Sequence, residues 1–166
     1  MNQISSHAIS PAKTLRGDNA WKKANKLIPY ICKRPLILGR SRETYYIRDI
    51  LFRSLKDNGI KPVRSELKFD CCEDDLKRLK SEAISGECDG IIAAGGGKVL
   101  DAGKLLAHRL KVPCITVPLS AATCAGWTAL ANIYSPKGAF QRDVMLECCP
   151  NLLVFLLTKC VQNNFV

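Results

Sequence analysis

The run CDGIIAAGGGKVLDAGKLLAHRLKVPCITVP, Cys88 to Pro118, decides the fold. Ile91, Ile92, Ala93 and Ala94 are consecutively apolar with no helical period, and they stand between Asp89-Gly90 and three glycines. That pattern predicts a short buried strand. Gly95, Gly96 and Gly97 then turn the chain. From Val99 onward Leu100, Gly103, Leu106, Ala107 and Leu110 repeat at helical spacing, with Lys104, His108, Arg109 and Lys111 placed mostly on the opposite, polar side. Cys114 to Val117 is apolar again and ends at Pro118, giving strand, glycine corner, helix and strand in one stretch.

A helix that opens on glycines offers free N–H groups and the positive end of its dipole, and residues without Cβ let a diphosphate reach the backbone. Lys98 adds a full positive charge. The alternative is a corner that needs glycine only for its dihedrals, and three glycines alone leave both readings open. Two familiar phosphate templates fail. The dinucleotide fingerprint G-x-G-x-x-G would need glycine where Leu100 stands, and the Walker pattern would need glycine at Ile92 and a hydroxyl at Val99.

Before this run the chain alternates in the same way. Trp21, Ala24, Leu27, Ile28 and Ile31 keep helical spacing after a candidate cap at Asp18, and Pro29 argues for a stop or kink. Pro35 to Leu38 reads as strand, followed by Gly39-Arg40-Ser41. The next helix starts at Ser41, Glu43 and Thr44, shows Tyr45, Ile47, Ile50, Leu51 and Leu55 on one face, and ends at Asn58-Gly59. Ile60 to Phe69 reads as a strand kept near a sheet edge by Pro62. Asp70 begins a helix over Cys71 to Ser85, with Leu76, Leu79, Ala83 and Ile84 on one side and acids in its first turn. The segment around ISPAKTLRGDNAW carries no usable period. After Pro118 comes a loop of small residues to Gly126. A hairpin follows over Ala131 to Tyr134 and Ala139-Phe140, turning at Ser135-Pro136-Lys137-Gly138, and then an apolar strand-like run from Leu152 to Leu157.

Strands and helices alternating with short links predict an α/β fold, a mostly parallel Rossmann-like sheet with helices on both faces and right-handed crossovers. Ligands of such sheets lie beyond the carboxyl ends of strands, and both Gly39-Arg40 and Gly95 to Lys98 directly follow strands, so they are expected along one edge.

Composition narrows the class. At 166 residues the chain is one domain's worth, with no apolar run near the ~20 residues of a membrane span and neither a basic leader nor a hydrophobic segment at MNQISSHAIS. The expectation is a cytoplasmic protein with no membrane partner. Nine cysteines include two vicinal pairs but no C-x-x-C, and only His7 and His108 accompany them, so neither a disulfide framework nor a metal cluster is expected. The net charge of +10 lies wholly before Ser65, where 14 Lys/Arg face 4 Asp/Glu. These cations are scattered without interleaved aromatics, which reads as a solvated surface and not as a nucleic-acid interface.

GGGKVLDAGK, followed by VPCITVPLSAATCAGWTALANIYSPKG, resembles the nucleotide-binding half of iron-containing, metal-dependent alcohol dehydrogenases, closest to the glycerol dehydrogenase branch. Looser similarity runs from about Ile9 to Phe155. The resemblance implies the amino-terminal half of the dehydroquinate synthase-like superfold and an NAD(P)-dependent oxidoreductase acting on the CH–OH group of a small alcohol or polyol. It places Gly95, Gly96, Gly97 and Lys98 on the pyrophosphate and Asp101 toward the nicotinamide. Leu119, Ser120, Thr123, Thr128, Leu130 and Tyr134 line the cofactor by the same resemblance. On spacing alone, Asp101 is equally a helix-start cap, and Ser120 and Thr123 part of a tightly packed polar loop.

Cys124 falls where the branch often has an aspartate touching the polyol, and Leu119 where it often has a threonine, so the natural alcohol stays open. Where many NAD-using relatives place a ribose-binding aspartate, this chain has Arg40. A guanidinium there would hold a 2′-phosphate, so NAD and NADP both remain open. In the family a divalent metal, iron or zinc, polarises the substrate oxygen from ligands in a following helical domain. LLTKCVQNNFV does not resemble that continuation. The expectation is therefore an NAD(P)-binding domain over 1–155, a non-matching tail over 156–166, an absent metal-binding domain, no metal ligands or catalytic residues here, and little turnover by the chain alone. An apolar face left uncovered at Leu152 to Leu157 would then favour poor solubility or association into an oligomer. Two other readings compete: a dehydroquinate-synthase-like NAD-dependent cyclase, and a non-enzymatic nucleotide-binding fragment. The VPLSAATCAGW and NIYSPKG runs favour the dehydrogenase.

Overall fold

The structure, a computed structural model, describes residues 10–120 and 123–156. Six strands form one parallel sheet: β1 (Thr14–Arg16), β2 (Pro35–Gly39), β3 (Val63–Glu66), β4 (Gly90–Gly95), β5 (Cys114–Pro118) and β8 (Leu152–Phe155). Their order across the sheet is β1-β8-β5-β4-β2-β3. Helices α1 (Ala20–Leu27), α2 (Tyr45–Asp57), α3 (Glu73–Ser85) and α4 (Gly97–Leu110) connect them, and β6 (Leu130–Tyr134) pairs antiparallel with β7 (Phe140–Met145) as a separate hairpin.

Alternation along the central strands builds two cores. Ile91 and Ala93 point to one face, where α3 and α4 bring Leu76, Leu79, Leu100, Leu105 and Leu106 and the hairpin adds Ala131 and Ile133. Ile92 and Ala94 point to the other, against Ala24 and Ile28 of the first helical segment and Leu51 and Leu55 of α2. Helices thus cover both faces, which is why β2, β4 and β5 are buried at every position. Helix α4 lies tight on β4 at Gly103, where a Cβ would lie 2.4 Å from that of Ala93.

Several expectations change. The segment without a usable period contains β1, which pairs with β8 at the sheet edge. Strand β8 consequently lies between β1 and β5, and Leu152, Leu153 and Val154 are buried rather than available for association. Leu157 and the tail beyond it lie outside the described residues, as do Ala121 and Ala122. Asp18 caps nothing: α1 starts after Asn19 and gives way at Pro29 to one tight turn over Ile28–Tyr30. Asp70 does not begin α3, whose cap position is Cys72. Ile50 and Ile84 are exposed, while Arg48 takes a buried place on α2. The hairpin's second strand continues to Met145. Among the described residues no helix is long and apolar enough to cross a membrane.

Candidate functional site

The sheet fixes where a ligand goes. From β2 the chain crosses to β3 on one side, and from β4 it crosses to β5 on the other, so strand order reverses between β2 and β4. Loops leaving the carboxyl ends of neighbouring strands diverge at such a point and open a crevice. Gly39-Arg40 leaves β2 and Gly95 to Lys98 leaves β4, on either side of it.

Two adjoining cavities fill the crevice. One, of about 470 Å³, is lined by Arg40, Ser41, Glu43, Thr44, Gly95, Gly96, Gly97, Lys98, Val99, Leu119 and Ser120. The other, of about 320 Å³, is lined by Gly97, Lys98, Asp101, Ser120, Thr123, Cys124, Ala125, Thr128, Leu130, Asn132 and Tyr134. Every site residue expected from the sequence lines one or the other. Gly97, Lys98 and Ser120 line both, so the corner at the start of α4 is the shared wall. A further cavity of about 340 Å³ contains Cys148 and Cys149 but opens at the amino ends of β5 and β8, the side on which parallel sheets do not bind ligands.

The glycine corner is explained by space rather than by dihedrals. Positive φ among the glycines occurs at Gly17, Gly59 and Gly138, none of them in the corner. Gly96 has φ −81° and ψ −177°, a conformation open to any residue. A Cβ there would have no heavy atom of the described residues closer than Ser120 Cβ at 3.9 Å, an ordinary van der Waals contact. Gly97 differs: its Cβ would stand 3.2 Å from Thr123 Oγ1, so the missing methyl lets the 123–126 loop close in. No side chain caps α4, and the N–H groups of Gly97 and Lys98 in its first turn find no acceptor among the described residues. This is an anion cradle in the electrostatic sense.

Lys98 is not the isolated cation that the sequence suggests. Its Nζ lies 2.5 Å from Asp70 Oδ2 and 4.7 Å from the centroid of the Tyr134 ring. Asp70, buried to 4% exposure, also faces Arg40 at 3.5 Å. Two cations share one carboxylate, Arg40 and Lys98 both line the crevice, and Glu43 on the wall of the same cavity balances the charge left over. The hairpin turn closes this group, since a Cβ at Gly138 would come within 3.4 Å of Asp70 Oδ2.

Arg40 is held by its loop. Arg48, which the sequence reading overlooked, donates to Thr44 Oγ1 at 2.6 Å, to the Ser41 carbonyl at 3.0 Å and to Glu66 Oε1 at 2.9 Å. A Cβ at Gly39 would overlap Arg48 Nε at 2.1 Å. Glycine at 39 therefore admits a buried guanidinium that fixes residues 41–44. The signal was present in a glycine at a strand end followed by arginine at helical position 48, but nothing in the sequence pairs them.

Asp101 is the fifth residue of α4 and caps nothing at its own helix start. Its Oδ2 accepts the Asn132 N–H at 3.2 Å, and its Oδ1 lies 3.0 Å from Lys104 Nζ. Burial pushes its carboxyl above the ordinary aspartate value, with Lys104 and the Asn132 N–H pulling the other way. Lys104 is a correction, since the helical wheel puts it with the polar residues and the structure buries it to 2% exposure. Thr116 Oγ1, fully buried, donates to the Gly126 carbonyl at 2.8 Å and folds the small-residue loop back over β5. Cys124 is exposed at the mouth of the Asp101 cavity.

The residues offer the chemistry an extended dinucleotide asks for: no described atom closer than 3.9 Å to a Cβ at Gly96, N–H groups of Gly97 and Lys98 without an acceptor among the described residues, the Arg40 and Lys98 cations beside them, and a cavity on either side. A metal ion does not find the same support. Among the described residues no group of three or more His, Cys, Asp or Glu side chains is placed to hold one.

Comparison with known proteins agrees with the fold. The family profile described as iron-containing alcohol dehydrogenase matches residues 11–155. An uncharacterized oxidoreductase of Synechocystis sp. is 41% identical over 150 residues, which cover 90% of this chain and 38% of that protein. A glycerol dehydrogenase of Escherichia coli is 30% identical over 145 residues, 87% of this chain and 40% of its own length. The crystal structure of glycerol dehydrogenase from Schizosaccharomyces pombe superposes with a TM-score of 0.80 at 24% identity, covering 92% of this chain and 39% of that one. The chain spans about two fifths of the length of these relatives.

Proposed function

The chain belongs to the iron-containing alcohol dehydrogenase family, and from that premise we propose that it is the amino-terminal NAD(P)-binding half of an oxidoreductase acting on the CH–OH group of a small alcohol or polyol. The observation that carries this reading is the cradle at Gly96. Neither the backbone nor the packing of the described residues demands glycine there, so the vacant Cβ position is explained by a ligand that comes close.

In this reading the N–H groups of Gly97 and Lys98 hold the diphosphate at the positive end of α4. The adenosine half lies in the cavity beside Arg40, Ser41 and Leu119, and the nicotinamide half in the cavity lined by Asp101, Thr123, Thr128, Leu130 and Tyr134. A bound nicotinamide supplies the hydride acceptor. This chain's own residues orient it: the diphosphate grip and the walls around Asp101 fix which ring face is presented, and that positioning lowers the barrier to transfer. Cys124 stands at the cavity mouth, where an alcohol would approach. No catalytic residue is assigned to this chain.

Fluorescence titration with NADH and NADPH tests the proposal. Saturable binding of at least one is expected. Arg40→Asp is expected to shift the NADH-over-NADPH preference by about tenfold or more, because a carboxylate repels a 2′-phosphate that a guanidinium holds. No saturable binding of either nucleotide would remove the basis for the reading.

A further inference from the structure

A buried ammonium needs a reason. Lys104 on α4 is 2% exposed, and a lysine so enclosed is retained only when its charge is fully engaged. Its Nζ meets Asp101 Oδ1 at 3.0 Å, the Thr128 carbonyl at 3.2 Å, Thr128 Oγ1 at 3.4 Å and, closer still, the Leu130 carbonyl. Thr128 Oγ1 itself lies 3.3 Å from the Leu130 carbonyl, and Asp101 Oδ2 accepts the Asn132 N–H. Lys104 thus ties α4 to positions 128 and 130, and Asp101 adds position 132, three alternate positions of the segment that enters β6. Asp101, Thr128, Leu130 and Asn132, the partners of this knot, are also wall residues of the cavity on the far side of the glycine corner from Arg40.

From this arrangement we propose that Lys104 is a positioning residue for the nicotinamide half of the cofactor: it touches no ligand itself but sets the spacing and charge of the Asp101–Thr128–Leu130 wall. The inference rests on the dinucleotide reading above. Lys104 Nζ on Oδ1 and the Asn132 N–H on Oδ2 fix the Asp101 carboxyl in the cavity wall, and the ammonium opposes the rise that burial imposes on it. The pyrophosphate grip at Gly96 to Lys98 uses none of these contacts. Losing Lys104 should therefore act on one end of the dinucleotide and spare the other.

Saturation-transfer difference NMR with NAD⁺ reads the two ends separately, since adenine and nicotinamide protons resolve in one spectrum. The wild-type chain is expected to show transfer to both. Lys104→Met is expected to reduce the nicotinamide signals at least twofold relative to the adenine signals, which stay. Leaving Asp101 buried without its partner risks unfolding, so the paired variant Asp101→Asn/Lys104→Met, which removes both charges, is run beside it and is expected to show the same selective loss. Parallel loss of both signals in folded protein, or no loss, would overturn the role assigned to Lys104. Adenine transfer without nicotinamide transfer in the wild type would overturn it too, while leaving the dinucleotide reading intact. No transfer to either end would remove both.

Discussion

Gly96 is where backbone, packing and ligand make separable demands. Its dihedrals suit any residue and a methyl on it meets no described atom of the chain within 3.9 Å. Gly96→Ala is thus expected to leave the fold intact and stability within about 1 kcal/mol of the wild type, because alanine has fewer unfolded conformations to lose but suits the N-cap of α4 less well than glycine. The same methyl would stand in the path of a diphosphate. Nucleotide affinity is expected to fall at least tenfold while the protein still melts cooperatively near the wild-type midpoint. A variant that melts like the wild type and binds as tightly would show that the ligand does not lie against Gly96. Lys98 and Asp101 show the limits of reading single residues from sequence. Both were singled out by their motif, yet neither the carboxylate of Asp70 on Lys98 nor the ammonium of Lys104 on Asp101 was visible, because each partner is named by packing.

At the scale of elements, α4 does the most. It carries the cradle at its start, Lys104 in its middle and Arg109 in its last turn, and it packs on β4 through Gly103. Gly103→Ala would press a methyl into Ala93 at 2.4 Å, pushing the helix off the strand. The expected cost is about 1–3 kcal/mol, read from a urea midpoint. A neutral result would mean that the helix shifts freely on the sheet. Glu73, at the start of α3, joins three elements: Arg109 of α4 donates to it at 2.8 and 2.9 Å and Arg142 of β7 at 2.8 Å. The hydrogen bond from Arg109, with the nearby charges, holds its carboxyl below the ordinary glutamate value. A lowered folded value means stability present above the unfolded value and lost as pH falls through the folded one. The stability deficit of Glu73→Gln is therefore expected to be largest near neutral pH and to shrink below about pH 4, as the wild type loses the same interaction. Taking the difference between the two proteins cancels the opposite trend from Asp101. A deficit constant with pH would show that the ion pairs contribute nothing.

For the molecule as a whole, the alternation of apolar strands with amphipathic helices was enough to read a parallel sheet covered on both faces. The corner's position beyond a strand end was enough to put Arg40 and Gly95 to Lys98 on one crevice. What escaped was non-local. Thr14–Arg16 is three residues with one buried side chain, and only pairing with Leu153 to Phe155 from the far end of the described chain makes it a strand. That pairing in turn buries Leu152 to Val154, whose exposure had been expected. Arg48 and Lys104 look like outward charges on a helical wheel because the wheel does not show the glycine and the carbonyls that admit them. The chain's excess positive charge lies before Ser65, in the part of the sequence that supplies Arg40. The measurement that reaches furthest is a two-dimensional amide NMR titration with NADH or NADPH. Amide shifts concentrated at Gly96, Gly97 and Lys98, spreading to the Arg40 loop and to Asn132, are expected. Shifts confined to the cavity at Cys148 and Cys149, or none at saturating nucleotide, would contradict a diphosphate gripped at the start of α4.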